Sequence, residues 1–227
     1  MIVNIQGMQA LVPEENKYFH VRRKEKLTEK GLPAFWEEVA GSRKAQMVML
    51  SRDSLEYKTV EKRFNLSASH YQIQSVERIQ CIPLYEAYSL RKKQMEEKNG
   101  QETQNERILF HGTCWETTLL ICEHGFNRSL NQRSVHGRGV YFAVNAEIST
   151  GPNYSKPNSD GLRVIIQARV LTGKYTHGQA GLKAAPSRSA SSGRDLFDSV
   201  VDKVESPSTF VIFHDSQAYP EYRITFK

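Results

Sequence analysis

The change of texture at Ile108 limits what this chain can fold into more than any other feature. Before it, apolar residues recur at helical spacing. A proline at a first helical position, Leu32-Pro33, leads into Phe35, Trp36 and Val39 before Gly41. Asp53 with Glu56 makes a capping box for a helix carrying Leu55, Val60 and Phe64, and Leu84, Tyr88 and Met95 space a second helix closed by Asn99-Gly100. Met47-Val48-Met49-Leu50 reads as a buried strand, and Ile73 to Ile82 alternates as another. Ile108-Leu109-Phe110 is then a strand, and Thr113 with Glu116 opens one more helix through Leu119, Leu120 and Cys122 to Gly125. Beyond it, Gly139–Ala143, Val164–Leu171, Phe210–Phe213 and Tyr222–Phe226 are β-branched or aromatic strands. Asn127 to Arg138 and the Gly-, Ser- and Pro-rich stretch Gly173 to Asp195 read as loops. Helices lead and strands dominate afterwards, so the fold class is α+β with antiparallel sheet.

At 227 residues the chain holds one large domain, or a domain with an appendage. Residues 1–31 lack sustained periodicity and read as a linker or the tail of something upstream, with the domain over 32–227 and the chain a fragment of a longer protein. No apolar run is long enough to span a membrane, and the first residues lack the basic flank and apolar core of a secretory signal. Cys81, Cys114 and Cys122 are odd in number and lack metal-ligand spacing, which points to free thiols packed in a core and a reducing compartment. The net charge of +6 permits contact with nucleic acid or acidic proteins. Acidic residues interleave the basic runs at Val21–Lys26 and Arg91–Lys93, and no aromatic ladder accompanies them, so a solvated face explains them better. No Walker loop or GxGxxG occurs, which sets aside phosphate transfer and Rossmann-type hydride chemistry.

Two segments carry chemistry. In Leu109-Phe110-His111-Gly112-Thr113 a strand ends on an imidazole, followed by a residue whose missing Cβ lets a ligand reach the backbone. In Gly137-Arg138-Gly139-Val140-Tyr141-Phe142-Ala143 two glycines free the backbone before a strand presents an aromatic ring. Each is weak alone: an isolated HG is noise, and a strand tyrosine is more often core than site. Ser149, by itself, is an ordinary helix cap in Asn145–Ser149, and Tyr154 a surface tyrosine between Pro152 and Pro157.

Taken with Ser149, Tyr154 and the closing strands, the two segments resemble the catalytic domain of the poly(ADP-ribose) polymerase family, nearest its macrodomain-associated mono-ADP-ribosyltransferase branch. Further matching stretches are Glu123–Ser129, Tyr141–Val144, Arg169–Gly173, Asp195–Val200 and Gln217–Tyr222, and the likeness runs in order over Leu32 to Lys227. It implies two packed antiparallel sheets with flanking helices, an NAD⁺ cleft between them, and NAD⁺ as co-substrate without a metal. It also implies roles. His111 bonds a hydroxyl of the adenosine ribose, Gly112 and Ser149 hold the nicotinamide carboxamide with Thr113 beside them, and Tyr141 and Tyr154 sandwich the nicotinamide ring. A planar aromatic cation is held between electron-rich rings by about 0.5–2 kcal/mol per ring.

Where polymer-forming members carry a glutamate, this chain has Thr209. Threonine donates a hydrogen bond but takes no proton near neutral pH, so chain elongation is expected to fail. Ile148 stands where relatives often place another tyrosine. The resemblance thus implies transfer of a single ADP-ribose to protein side chains, acidic ones above all, with release of nicotinamide. The alternative is a catalytically silent domain that binds NAD⁺ or ADP-ribose, or a protein-interaction scaffold. The expected partners are acceptor proteins, the chain itself included, without nucleic acid or membrane. The chain is expected to be monomeric, nuclear or cytoplasmic. Too few residues precede His111 for the helical regulatory subdomain of the DNA-dependent polymerases, so activation by DNA breaks is not expected.

Overall fold

The computed structural model describes residues 2–4, 9–12, 17–20, 27–29, 31–37, 44–100, 102–131, 134–189, 193 and 195–227. The chain falls into two units, Met1–Glu38 and Val39–Lys227. In the first, three strands form an antiparallel meander where the sequence showed no periodicity: β1 (Ile2–Asn4), β2 (Gln9–Val12) and β3 (Lys17–His20). Pro33 does not open a helix. It bridges Leu27, and a turn follows over Ala34–Phe35. Val39, Gly41 and the basic run 21–26 lie outside the described residues.

In the second unit β4 (Gln46–Met49) leads into helix α1 (Leu55–Ala68). The helix is capped one residue later than expected. Ser54 accepts the Tyr57 N–H at 3.1 Å, and its extended backbone lets that hydroxyl reach the third residue on. Tyr57, Val60, Phe64 and Ala68 then face the core, while Leu55 is exposed. Burying a side chain such as Phe64, fully enclosed here, contributes about 2–3 kcal/mol. β5 (Ile73–Gln80) and helix α2 (Ile82–Asn99) follow, the helix closed by Gly100 at φ 80°. After α2 come β6 (Glu106–Gly112), α3 (Trp115–His124), β7 (Val140–Ala143), the five-residue α4 (Ala146–Thr150) and β8 (Arg163–Leu171). The strands β9 (Tyr175–His177), β10 (Ser199–Val201), β11 (Thr209–Ile212) and β12 (Ala218–Phe226) complete the unit.

Nine strands form one sheet in the order β4-β5-β12-β8-β6-β7-β11-β10-β9. β6 and β7 share a single residue pair, Phe110 with Ala143, so the sheet nearly parts there into two halves. Both halves feed one core. Leu109, Ile166, Ala168 and Val170 come from one side, and Phe142, Val201, Phe210 and Ile212 from the other. The two packed sheets expected from the sequence are these halves, with one departure: β9 pairs parallel to β10. Alternation along β8 explains the second core, where Ile165 turns the other way to meet Val60, Phe64 and Phe226.

Two apolar runs are placed differently from expectation. β4 lies at the sheet edge with Met47 and Met49 exposed, because an edge strand has one face to bury. The capping box at Thr113 does not form. Cys114 occupies the cap without a side-chain bond to the helix backbone, and α3 buries Thr118, Ile121 and Cys122 while Leu119 and Leu120 are exposed. The three cysteines are free thiols. Burial pushes the Cys122 thiol up to about 12 and raises that of Cys81.

Candidate functional site

The parting of the sheet builds the site. Past the Phe110–Ala143 pair, β6 and β7 share no further ladder pair, and a side chain bridges the gap. The His111 Nδ1–H donates to the Tyr141 carbonyl at 2.8 Å. A carbonyl only accepts, so this bond places the proton on Nδ1 and leaves Nε2 of the neutral ring as a free acceptor. The ring is edge-on to Phe126, 5.2 Å between centroids, and tilted on Phe142 at 5.5 Å. Desolvation by these neighbours lowers the His111 pKa below its ordinary 6.5, although the bond to Tyr141 pulls the other way. At neutral pH His111 therefore offers Nε2 as an acceptor for a hydroxyl.

A pH dependence follows. The unfolded imidazole titrates near 6.5 and the folded one lower, so between those values the folded chain binds fewer protons. The stability tied to the neutral ring is complete above about 6.5 and is lost as pH falls from there towards the folded value. A ligand that bonds Nε2 would titrate with the folded value alone. NAD⁺ affinity measured by calorimetry should be flat from about pH 8 to 6.5 and fall only below, and His111→Ala should abolish that acid limb. A decline centred above 6.5 would contradict the assignment.

Tyr141 is held at both ends. Its hydroxyl donates to the Gly137 carbonyl at 2.8 Å and accepts the His136 N–H at 2.9 Å. Its ring packs with Leu182 of the 173–195 loop region and with Phe197 just beyond it, against Val200, Val211 and Phe213. The sequence did not single out His136, although the Gly137 that follows it was read as part of the motif. The second group of residues assembles around Gly112. A Cβ there would fall 2.8 Å from the Tyr154 Cβ and well inside contact with the Ser149 carbonyl oxygen, so only glycine lets β6 approach α4 this closely. Ser149 lies within α4, 3% exposed, and the cap is Asn145, which removes the reading of Ser149 as an ordinary cap. Tyr154 follows α4 in a turn, its N–H donating to Gly151, and is 38% exposed. Thr113 is half-buried between Gly112 and the Cys114 cap.

Thr209 opens β11 opposite Ala143, while Val211 faces Tyr141. Directly opposed residues share a face, so Thr209 and Tyr141 project from the same side of the sheet, two residues apart along the strands. Chain adjacency of His111 and Gly112 joins the His111–Tyr141 pair to the Gly112–Ser149–Tyr154 group. The two basic runs differ in standing: Lys92 is ion-paired with Glu106 at 2.8 Å, and 21–26 is outside the described residues. Among the described residues no three His, Cys, Asp or Glu side chains converge as metal ligands. The donor set suits a neutral sugar and an amide instead: one imidazole acceptor, a bare glycine backbone, a serine hydroxyl and tyrosine rings.

Residues 54–227 match the family described as the poly(ADP-ribose) polymerase catalytic domain. Among curated proteins the chain is similar to protein mono-ADP-ribosyltransferase PARP14 of Homo sapiens, 43% identical over 86% of this chain. It is also similar to protein mono-ADP-ribosyltransferase PARP10 of Mus musculus, 42% identical over 78%, and to PARP12 of Homo sapiens, 36% identical over 87%. It spans 11%, 19% and 28% of those relatives' own lengths. With its split sheet and the match over β5 to β12, the chain belongs to the poly(ADP-ribose) polymerase catalytic domain family.

Proposed function

We propose that this chain is a mono-ADP-ribosyltransferase: it binds NAD⁺ at the parting of β6 and β7, releases nicotinamide and leaves one ADP-ribose on a protein side chain. The observation that carries the reading is the His111–Tyr141 bond, which commits the imidazole to one tautomer with Nε2 free for a ribose hydroxyl. Gly112 and Ser149 hold the carboxamide through backbone and hydroxyl groups, with Thr113 beside them, and Tyr141 and Tyr154 stack on the nicotinamide ring. The names of the relatives support the same chemistry. Thr209 supplies no base, so an incoming ADP-ribose hydroxyl is not activated and transfer ends after one unit. An acidic side chain suits the acceptor role because a carboxylate attacks without losing a proton. Free thiols fit a reducing nuclear or cytoplasmic setting.

The test is release of nicotinamide from NAD⁺ by the purified chain, followed by chromatography. Time-dependent release that is proportional to enzyme is the expected result. Tight NAD⁺ binding without release would replace the transferase by a silent binding domain.

A further inference from the structure

Position 209 carries no carboxylate, yet one stands beside it. β10 and β11 pair antiparallel, with Val200 opposite Val211 and Val201 opposite Phe210. The Asp202 N–H donates to the Thr209 carbonyl at 3.3 Å, which carries the register one residue further. Thr209 and Ala143 are paired and share a face, and Asp202, the first residue past β10, continues their row through its backbone bond to Thr209. Val200, Val211 and Tyr141 form the next row on that face. The carboxylate folds over the end of β11. Its Oδ1 accepts the Ser208 N–H at 2.9 Å and the Thr209 N–H at 3.0 Å, and the Ser208 hydroxyl donates to Oδ2. The Ser208 carbonyl in turn accepts the Val144 N–H at 2.9 Å, which ties the same turn to the end of β7. Burial raises the Asp202 pKa, but the bonds from Ser208 and Thr209 outweigh it and hold the group below its ordinary value, ionised at neutral pH.

We propose that Asp202 is a positioning residue that holds Thr209 in place and supplies, from the neighbouring strand, the fixed negative charge that position 209 lacks. The inference rests on the transferase reading above. In that reaction the bond from the ribosyl C1′ to the nicotinamide nitrogen breaks, and its electron pair leaves with nicotinamide, which departs neutral. Positive charge builds on the ribosyl carbon until a lone pair of the acceptor oxygen forms the new C–O bond. With a carboxylate acceptor no proton moves. Asp202 forms no bond in this sequence and takes no proton. It acts by its field, and a unit charge one cross-strand row away from the developing cation, in a half-buried setting, is worth about ten- to thirtyfold in rate.

Asp202→Asn tests this, because the amide oxygen keeps accepting the Ser208 and Thr209 N–H bonds while the charge is gone. The expected result is a kcat for nicotinamide release about tenfold lower or more, with KM for NAD⁺ within about twofold. Thr209→Glu added to Asp202→Asn should restore most of the loss. Unchanged kcat in Asp202→Asn overturns the proposal. So does a loss of kcat accompanied by lost NAD⁺ binding, a lower melting temperature and no rescue by Thr209→Glu, which would make Asp202 a turn cap only. If the unaltered chain releases no nicotinamide, the transferase reading fails by itself. Asp202 is then read from equilibrium binding of cationic NAD⁺ against its neutral reduced form. That preference should fall about twofold in Asp202→Asn, and an unchanged preference overturns the proposal.

Discussion

Replacing His111 by alanine should lower kcat/KM for NAD⁺ about a hundredfold, the largest loss of activity expected from one substitution in the site. Two effects add. In the proposed binding mode the ribose hydroxyl loses its acceptor, about 1 kcal/mol. The Tyr141 carbonyl at the parting of the sheet loses the donor that met it at 2.8 Å, and losing one such hydrogen bond costs about 0.5–1.5 kcal/mol. Together they approach the roughly 2.7 kcal/mol that a hundredfold represents. The second effect shifts the strand that presents Tyr141, so both the ribose and the nicotinamide contacts suffer. Steady-state kinetics with calorimetric NAD⁺ binding checks the prediction, and a variant within threefold of the unaltered chain would remove His111 from the site.

Gly112→Ala should be the most damaging single-carbon addition. The added methyl would press on the Ser149 carbonyl and lie 2.8 Å from the Tyr154 Cβ, and neither group is the free end of a flexible side chain. Overpacking of this kind costs about 3 kcal/mol, which for a chain of this length lowers the melting temperature by about 6–12 °C. Relief requires α4 and the Tyr154 turn to move away from β6, so NAD⁺ binding should be lost even in the fraction that remains folded. Gly151→Ala is the control. There the new Cβ meets the Ile148 carbonyl at 3.5 Å and the Tyr154 ring at 3.6 Å, ordinary contacts, so stability should change by about 0.5 kcal/mol or less. Equal melting temperatures for Gly112→Ala and the unaltered chain would contradict this account of the β6–α4 contact.

Much of the scaffold around the site could be read from local pattern, and what escaped was non-local. β6, β7, β8 and β12 are runs of β-branched and aromatic residues, and their alternation survives in the fold. β9 and β10 are three residues each, one inside the Gly- and Ser-rich stretch and one just past it, and their parallel pairing comes only from residues that lie about 24 positions apart. The run at Met47 is exposed where its pattern predicts burial, because an apolar tetrapeptide does not state whether its strand lies at an edge. Neighbouring Asp53 and Ser54 both suit a cap, and the competition is decided by which oxygen reaches the Tyr57 N–H.

The site divides along the same line. His111–Gly112 and Gly139–Tyr141 carry a local signature, an imidazole or an aromatic ring beside a glycine at a strand terminus. Ser149 and Tyr154 gained meaning only through resemblance, and the crowding at Gly112 gives it a physical cause. Asp202 has no local signature, because its place beside Thr209 is set by the β10–β11 register. Its one sequence signal is a carboxylate four residues ahead of a Ser-Pro-Ser turn.

The central claim, that one ADP-ribose is transferred and no more, is tested most directly by the intact mass of the modified chain after incubation with NAD⁺, followed by fragmentation to locate each attachment. The account predicts mass increments that correspond to single ADP-ribose units on separate side chains, absent in His111→Ala. Two or more ADP-ribose units joined in series on one side chain would contradict it.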